Sequence, residues 1–239
     1  MTLSGKRIVV LGGSSGIGLA TAQAAARDKA DVVIASSRKD RMEAALVTLP
    51  KGTQGHVLDL ADGEAIRALF AELGDFDHLV FTAGESLQLG SIAATEVEAA
   101  RRFFALRYWG AYCAAKYGSG NIRKGGSIVF TSGLAGQRPH TGWAVAASIC
   151  SAVEGLARAL AVELAPVRVN VVCPGVVRTP LWANMPEADR AALYRQTQER
   201  LLVGHVGEPA EIAEAFLYLM RQSYGTGQVL VVDGGATLV

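Results

Sequence analysis

A glycine-rich turn, Gly12-Gly13-Ser14-Ser15-Gly16-Ile17-Gly18, stands between an apolar run of strand length, Ile8–Leu11, and a stretch of helical period. No other feature constrains the fold as tightly. Glycines at a strand-to-helix junction let the backbone pass close to a bulky group, and the first turn of the helix presents unpaired N–H groups at its positive end. Such a turn suits a pyrophosphate. The alternative is a tight turn that only packs a helix against a strand, and the rest of the chain has to decide between them.

Apolar runs of strand length recur along the chain, separated by segments of helical period. Ile8–Leu11, Val32–Ala35, His56–Leu58, His78–Thr82, Ser127–Thr131, Val167–Val172 and Gln228–Val232 are the seven expected strands. This alternation predicts an α/β fold with a doubly wound, parallel sheet. Half of the residues are hydrophobic and mean hydropathy is +0.26, as expected for strands covered on both faces. A helix from about Lys39 should close at Pro50 and Gly52, and Asp62 should cap another that runs to about Leu73. No repeat or interdomain linker interrupts residues 1–239, which predicts a single domain. The irregular insertion at about 179–207, with Pro180, Pro186 and a helical piece near Ala188–Leu201, reads as a lid over a substrate.

Charge and cysteine usage exclude several classes. Twenty-three Lys and Arg against 22 Asp and Glu leave a formal charge of +1 with no basic block, so nucleic acid is not an expected partner. Cys113, Cys150 and Cys173 are odd in number and widely spaced, and the four histidines lack ligand spacing, so neither a disulfide framework nor a metal site is expected. The Ala-rich stretch 144–165 is broken by Glu154, Arg158 and Glu163, and no apolar leader precedes the first strand. A cytoplasmic protein that does not enter a membrane is the expectation.

Taken together, the motifs resemble those of the short-chain dehydrogenase/reductase family from Lys6 to Gly235. The Gly-x-x-x-Gly-x-Gly spacing of Gly12, Gly16 and Gly18 is that family's, and Asp59-Leu60 matches its adenine-holding pair. Thr82-Ala83-Gly84 resembles its Asn-Ala-Gly turn, while Arg168-Val169-Asn170, Pro174-Gly175, Val177 and Thr179 resemble the stretch that contacts nicotinamide. Glu208-Pro209, Gly227-Gln228 and Asp233-Gly234-Gly235 match its C-terminal signatures. The resemblance implies a Rossmann-like single domain and a dinucleotide held by Gly12, Ser14, Ser15, Gly16, Ile17, Gly18, Ser37, Arg38, Asp59, Leu60, Ala83, Gly84, Pro174, Gly175, Val177 and Thr179. It also implies a homodimer or homotetramer. An acidic residue at the end of strand two would bond the ribose of NAD, but Ser36-Ser37-Arg38 stands there, which favours NADP(H) over NAD(H).

The segment that carries the family's chemistry departs from the pattern. Alignment on Ala152-Val153-Glu154-Gly155-Leu156 puts the family's Tyr at Ala146 and its Lys at Cys150, its Ser at Gly133 and its helical Asn at Arg107. Ala has no proton to give, and Cys150 in an apolar stretch reads as an inert thiol rather than a nucleophile. Ser132 lies beside the Ser position, but a one-residue slip would turn its side chain to the opposite face. His140, Glu85 and Arg107 are the other candidates for acid–base or electrostatic work, against the plainer readings of solvated loop residues and a surface cation. An intact binding half beside replaced catalytic residues favours a non-redox or ligand-sensing role for an unidentified small molecule. Two alternatives stand beside it: an NADP-dependent oxidoreductase on a small carbonyl or alcohol with an unconventional proton donor, and a structural subunit of a hetero-oligomer.

Overall fold

The computed structural model describes residues 2–84 and 89–239. Strands β1 (Arg7–Leu11), β2 (Asp31–Ser36), β3 (Gln54–Val57), β4 (Phe76–Phe81), β5 (Ile122–Thr131), β6 (Arg168–Pro174) and β7 (Val229–Val232) form one sheet in the order β3-β2-β1-β4-β5-β6-β7. Every neighbouring pair is parallel. The order reverses between β1 and β4, and a crevice opens there at the carboxyl ends of the strands. Helices α1 (Gly16–Arg27), α2 (Lys39–Val47), α3 (Gly63–Leu73), α4 (Val97–Phe104), α5 (Ala111–Gly118), α6 (Ala144–Glu163), α7 (Glu187–Arg200) and α8 (Pro209–Arg221) complete the chain.

Alternation along β1 explains the two-sided core. Val9 and Leu11 point to the face covered by Ile66 and Phe70 of α3, Ala114 of α5 and Val153 of α6. Ile8 and Val10 point to the opposite face, where Ala22 and Ala25 of α1 and Phe216 of α8 close over them. Successive side chains on a strand face opposite ways, so continuous apolar runs are needed to serve both layers. The expected cap is present: Asp62 accepts from the N–H of Glu64 at 2.9 Å and so stops the chain from entering α3 earlier. α6 has the length and hydropathy of a bilayer span, yet its Ala146, Ile149, Val153 and Ala157 are buried in the protein.

Two departures from the sequence expectations matter for the site. β5 begins at Ile122 rather than Ser127, because its polar leading segment of Arg123, Lys124, Gly125 and Gly126 reaches past the apolar core and carries no hydrophobic signal. Between α4 and α5 the helix widens into π turns over Ala105–Gly110. Such turns shift the phase of a helix, and Arg107 sits within them.

Candidate active site

The glycine turn lies at the switch point. Gly12 has φ of +92°, and a Cβ there would stand 2.5 Å from the Ala83 nitrogen. A Cβ on Gly18 would overlap the Gly12 carbonyl and the Thr82 hydroxyl. Only glycine at both positions lets α1 begin this close to the end of β4. Ser15 precedes α1 without a side-chain capping bond, and no acidic residue stands in the first turn, so the leading N–H groups remain available to an anion.

A groove of about 260 Å³ runs from this turn across the sheet. Of the residues expected to hold the dinucleotide, Gly12, Ser14, Ser15, Gly16, Ile17, Gly18, Ser37, Arg38, Asp59, Leu60, Ala83, Gly84, Pro174 and Thr179 line it. Gly175 and Val177 do not. They line a separate cavity of about 160 Å³ with Leu201, Val203 and Ile212. The chain turns away after Pro174 because the Gly175 N–H donates to the Val232 carbonyl at 3.0 Å and Val177 bridges to Gly207. The groove, the close-approach glycines and the open helix start fit a dinucleotide.

At the ribose end Arg38 is already engaged: its Nε and Nη2 donate to the two Asp40 carboxylate oxygens at 2.9 and 2.7 Å. Arg38 thereby holds the Asp40 carboxyl below the usual carboxylate range. Arg41 also lines the groove, and sequence reasoning missed it. The available signal was its spacing, three residues after Arg38 at the start of α2, which brings the two side chains to neighbouring positions.

At the other end, Arg107, Ala146 and Cys150 line a cavity of about 50 Å³ together with Phe103 and Ser132. Thr82, Ala83, Arg107, Thr131 and Ser132 line both this cavity and the groove, so the two are neighbours with shared walls. The question left open by the sequence, whether Arg107 turns to the pocket or outward, is thus answered: its guanidinium lies against Gly84 and 5.4 Å from the Phe103 ring. Burial pushes the Cys150 thiol up to about 11, the Arg107 charge opposing it. A thiol so raised is uncharged near neutral pH. A Cβ on Gly133 would lie 3.4 Å from Cys150 Sγ, which places Gly133 beside the same cavity.

Ser132 corrects the sequence reading. No register slip is needed for it to reach the site, because its N–H continues the β5 ladder to the Val172 carbonyl at 2.9 Å. Its Oγ donates to Oε1 of Glu154 at 2.9 Å. Glu154 is buried and was not singled out as a site residue; the signal was its position four and eight residues after Cys150 and Ala146 on one face of α6. His140 is exposed, packs edge-on against Trp143 at 4.8 Å and lines neither cavity. Glu85 lies outside the described residues. No cluster of metal-binding side chains occurs among the described residues.

Glycine turn, open helix end and switch-point groove define a dinucleotide-binding α/β protein of the Rossmann type. A family model described as enoyl-(acyl carrier protein) reductase matches residues 12–237. Short-chain dehydrogenase/reductase ATR9 of Stachybotrys chlorohalonatus is 36% identical, with 99% of each chain covered. A small-chain dehydrogenase crystallised in complex with NADPH is 37% identical over 99% of this chain and 100% of that one, with a TM-score of 0.84. An NADPH-bound short-chain oxidoreductase of Pseudomonas aeruginosa PAO1 containing an atypical catalytic center is 29% identical over 96% of each chain, with a TM-score of 0.88. The chain belongs to the short-chain dehydrogenase/reductase family. These relatives support a nicotinamide dinucleotide as ligand and an oxidoreductase of this type, and they lend no support to the non-redox role favoured by the sequence.

Proposed function

We propose that this protein is an NADP(H)-dependent oxidoreductase of small carbonyls or alcohols in which a fixed guanidinium, not a Tyr–Lys pair, receives the developing oxyanion. The observation that carries the reading is the place of Arg107, on the wall shared by the dinucleotide groove and the cavity lined by Ala146 and Cys150. NADPH, when bound, supplies a hydride from its nicotinamide. Gly12, Gly16 and the first turn of α1 would hold its pyrophosphate, with Asp59 near the adenine and Arg38 and Arg41 near the ribose. Arg107 stabilises negative charge on the substrate oxygen as it forms, which is worth most where water is excluded. A guanidinium cannot be a general acid, so the proton comes from elsewhere.

Preference for the phosphorylated cofactor is supported by the two arginines at the end of β2 and by the absence of an acidic side chain among Ser36, Ser37 and Arg38. The lid reading of 179–207 is supported by α7, which buries none of its side chains, and by two contacts with the residues just before the segment. The Trp182 indole donates to the Val177 carbonyl at 3.0 Å, and Arg178 stacks on Tyr194 at 4.5 Å. Self-association is supported by the exposed Ile92, Val97 and Trp109 around α4. Titration calorimetry with NADPH and NADH, followed by NADPH oxidation over a panel of ketones, aldehydes and enones, tests the central claim. Reduction of at least one class, diminished in Arg107→Ala, is expected; binding without any reduction overturns it.

A further inference from the structure

We propose that Ser132 and Glu154 form the proton relay of this site, Ser132 meeting the substrate oxygen and Glu154 acting behind it. The proposal rests on the oxidoreductase reading and names the proton source that Arg107 cannot provide.

Ser132 stands where such a group is needed. It lines the groove and the small cavity at once, as Thr131 and Arg107 do. Behind it, Glu154 is 9% exposed, lines neither cavity, and accepts from Ser132 Oγ at 2.9 Å. A carboxylate held in the interior is costly unless it is hydrogen-bonded, and a serine is a weak acid and base unless a stronger group completes it. Each of the two supplies what the other lacks.

The geometry gives the alcohol-oxidising direction directly. The Ser132 hydroxyl donates to Glu154, with the Cys173 thiol as its second side-chain neighbour, and a remaining Oγ lone pair can accept the proton of a substrate hydroxyl. The substrate O–H bond breaks as its proton passes to Ser132 Oγ, and the Ser132 proton passes to Glu154. The C–H bond breaks as its electron pair and hydrogen leave as hydride to NADP+. The products are the carbonyl compound, NADPH and a neutral Glu154 carboxyl, and carbonyl reduction is the reverse. After product leaves, the proton returns along the same pair to water refilling the groove. Glu154 acts on the thiols of Cys150, on its own helix, and Cys173 on β6, while Arg107 acts on Cys150 and Asp233 on Cys173. Both thiols are held protonated by burial, so neither is a proton acceptor for Ser132 near neutral pH.

The test uses wild-type protein, Glu154→Gln, Ser132→Ala and the double variant, with NADPH affinity measured by fluorescence titration. Gln keeps the acceptor for Ser132 but cannot take a proton. Turnover in either single variant should fall about a hundredfold, in the range expected for loss of acid–base catalysis. NADPH affinity should stay within about twofold, and the double variant should be no slower than the slower single one, as for groups that act as a unit. The wild-type pH profile should lose one limb in Glu154→Gln. Infrared difference spectra between the NADP+ complex with bound alcohol and the NADPH complex with bound carbonyl supply a readout besides the rate: a carboxyl band should appear in wild type, vanish in Glu154→Gln and shift in Ser132→Ala. Undiminished reduction in both single variants, or no such band, overturns the relay and leaves the oxidoreductase reading standing. No reduction by wild-type protein that binds NADPH overturns both.

Discussion

The Arg107 guanidinium lies flat enough on Gly84 that a Cβ added there would stand 2.7 Å from Nη1 and 2.8 Å from Cζ. Gly84 therefore sets how deep the cation reaches into the site. Gly84→Ala should push aside the flexible end of Arg107 rather than break the fold, changing stability by about 1 kcal/mol or less. Its effect on NADPH affinity should resemble that of Arg107→Ala, a loss of roughly 1–3 kcal/mol for a charge-assisted hydrogen bond. Combining the two should add little. Calorimetric titration of the three variants decides it.

Asp40 competes with a cofactor phosphate for Arg38. Its two oxygens take the Nε and Nη2 of that guanidinium, the same fork that would grip a 2′-phosphate. Asp40→Asn should therefore tighten NADPH binding, while Arg38→Ala and Arg41→Ala should each weaken it by about tenfold or more, the scale of one charged hydrogen bond. NADH affinity should hardly move in any of the three. Parallel titrations with both cofactors check the selectivity.

Acid should destabilise the fold through His78. This residue is buried on β4, its Nδ1 lies 2.9 Å from Ser127 Oγ, and burial lowers its pKa to about 4. The unfolded chain takes up the proton near 6.5, so the neutral ring's contribution is whole above that pH and is lost as pH falls toward about 4. The loss amounts to roughly 3 kcal/mol from this group. His78→Leu with Ser127→Ala removes both polar partners and should flatten that part of the Tm-against-pH curve. An unchanged curve would remove His78 as the cause.

Whether a lysine is tolerated at Cys150 should depend on Arg107. A Cys150→Lys ammonium would enter a cavity of about 50 Å³ already lined by the Arg107 guanidinium, and two buried like charges repel. Cys150→Lys alone should lose a few kcal/mol of stability, largely recovered by Arg107→Asn. With Gly133→Ser and Ala146→Tyr added, carbonyl reduction that no longer depends on Ser132 and Glu154 should appear. Denaturant melts and NADPH oxidation follow the two effects separately.

The partly buried Cys150 and the buried Cys173 give a simpler expectation. Burial raises Cys150 to about 11 and Cys173 to about 12, so neither is a thiolate near neutral pH. Iodoacetamide at pH 7.5 should leave both unmodified in the folded protein and label both in denaturant. Mass spectrometry reads the difference, and rapid native labelling of Cys150 would restore it as a nucleophile.

Local patterns in the chain were enough to place the strands, apart from the start of β5, to predict that they run parallel, and to locate the dinucleotide turn. Apolar runs such as Ile8–Leu11 must be buried on both faces, and Gly12 and Gly18 tolerate nothing larger where β4 and α1 meet. The same local reasoning singled out Arg107, Gly133, Ala146 and Cys150, but not what their side chains meet. Direction into the pocket came from π turns at Ala105–Gly110, a phase shift with no clear signature in residue type. The Ser132–Glu154 bond joins a strand end to a helix 22 residues later, and the departure of Gly175 and Val177 from the groove follows from bonds to Val232 and Gly207. Such contacts are made by chain segments that only the packed sheet and helices bring together. Periodicity fixes which face a residue occupies on its own element, and tertiary packing decides what that face meets.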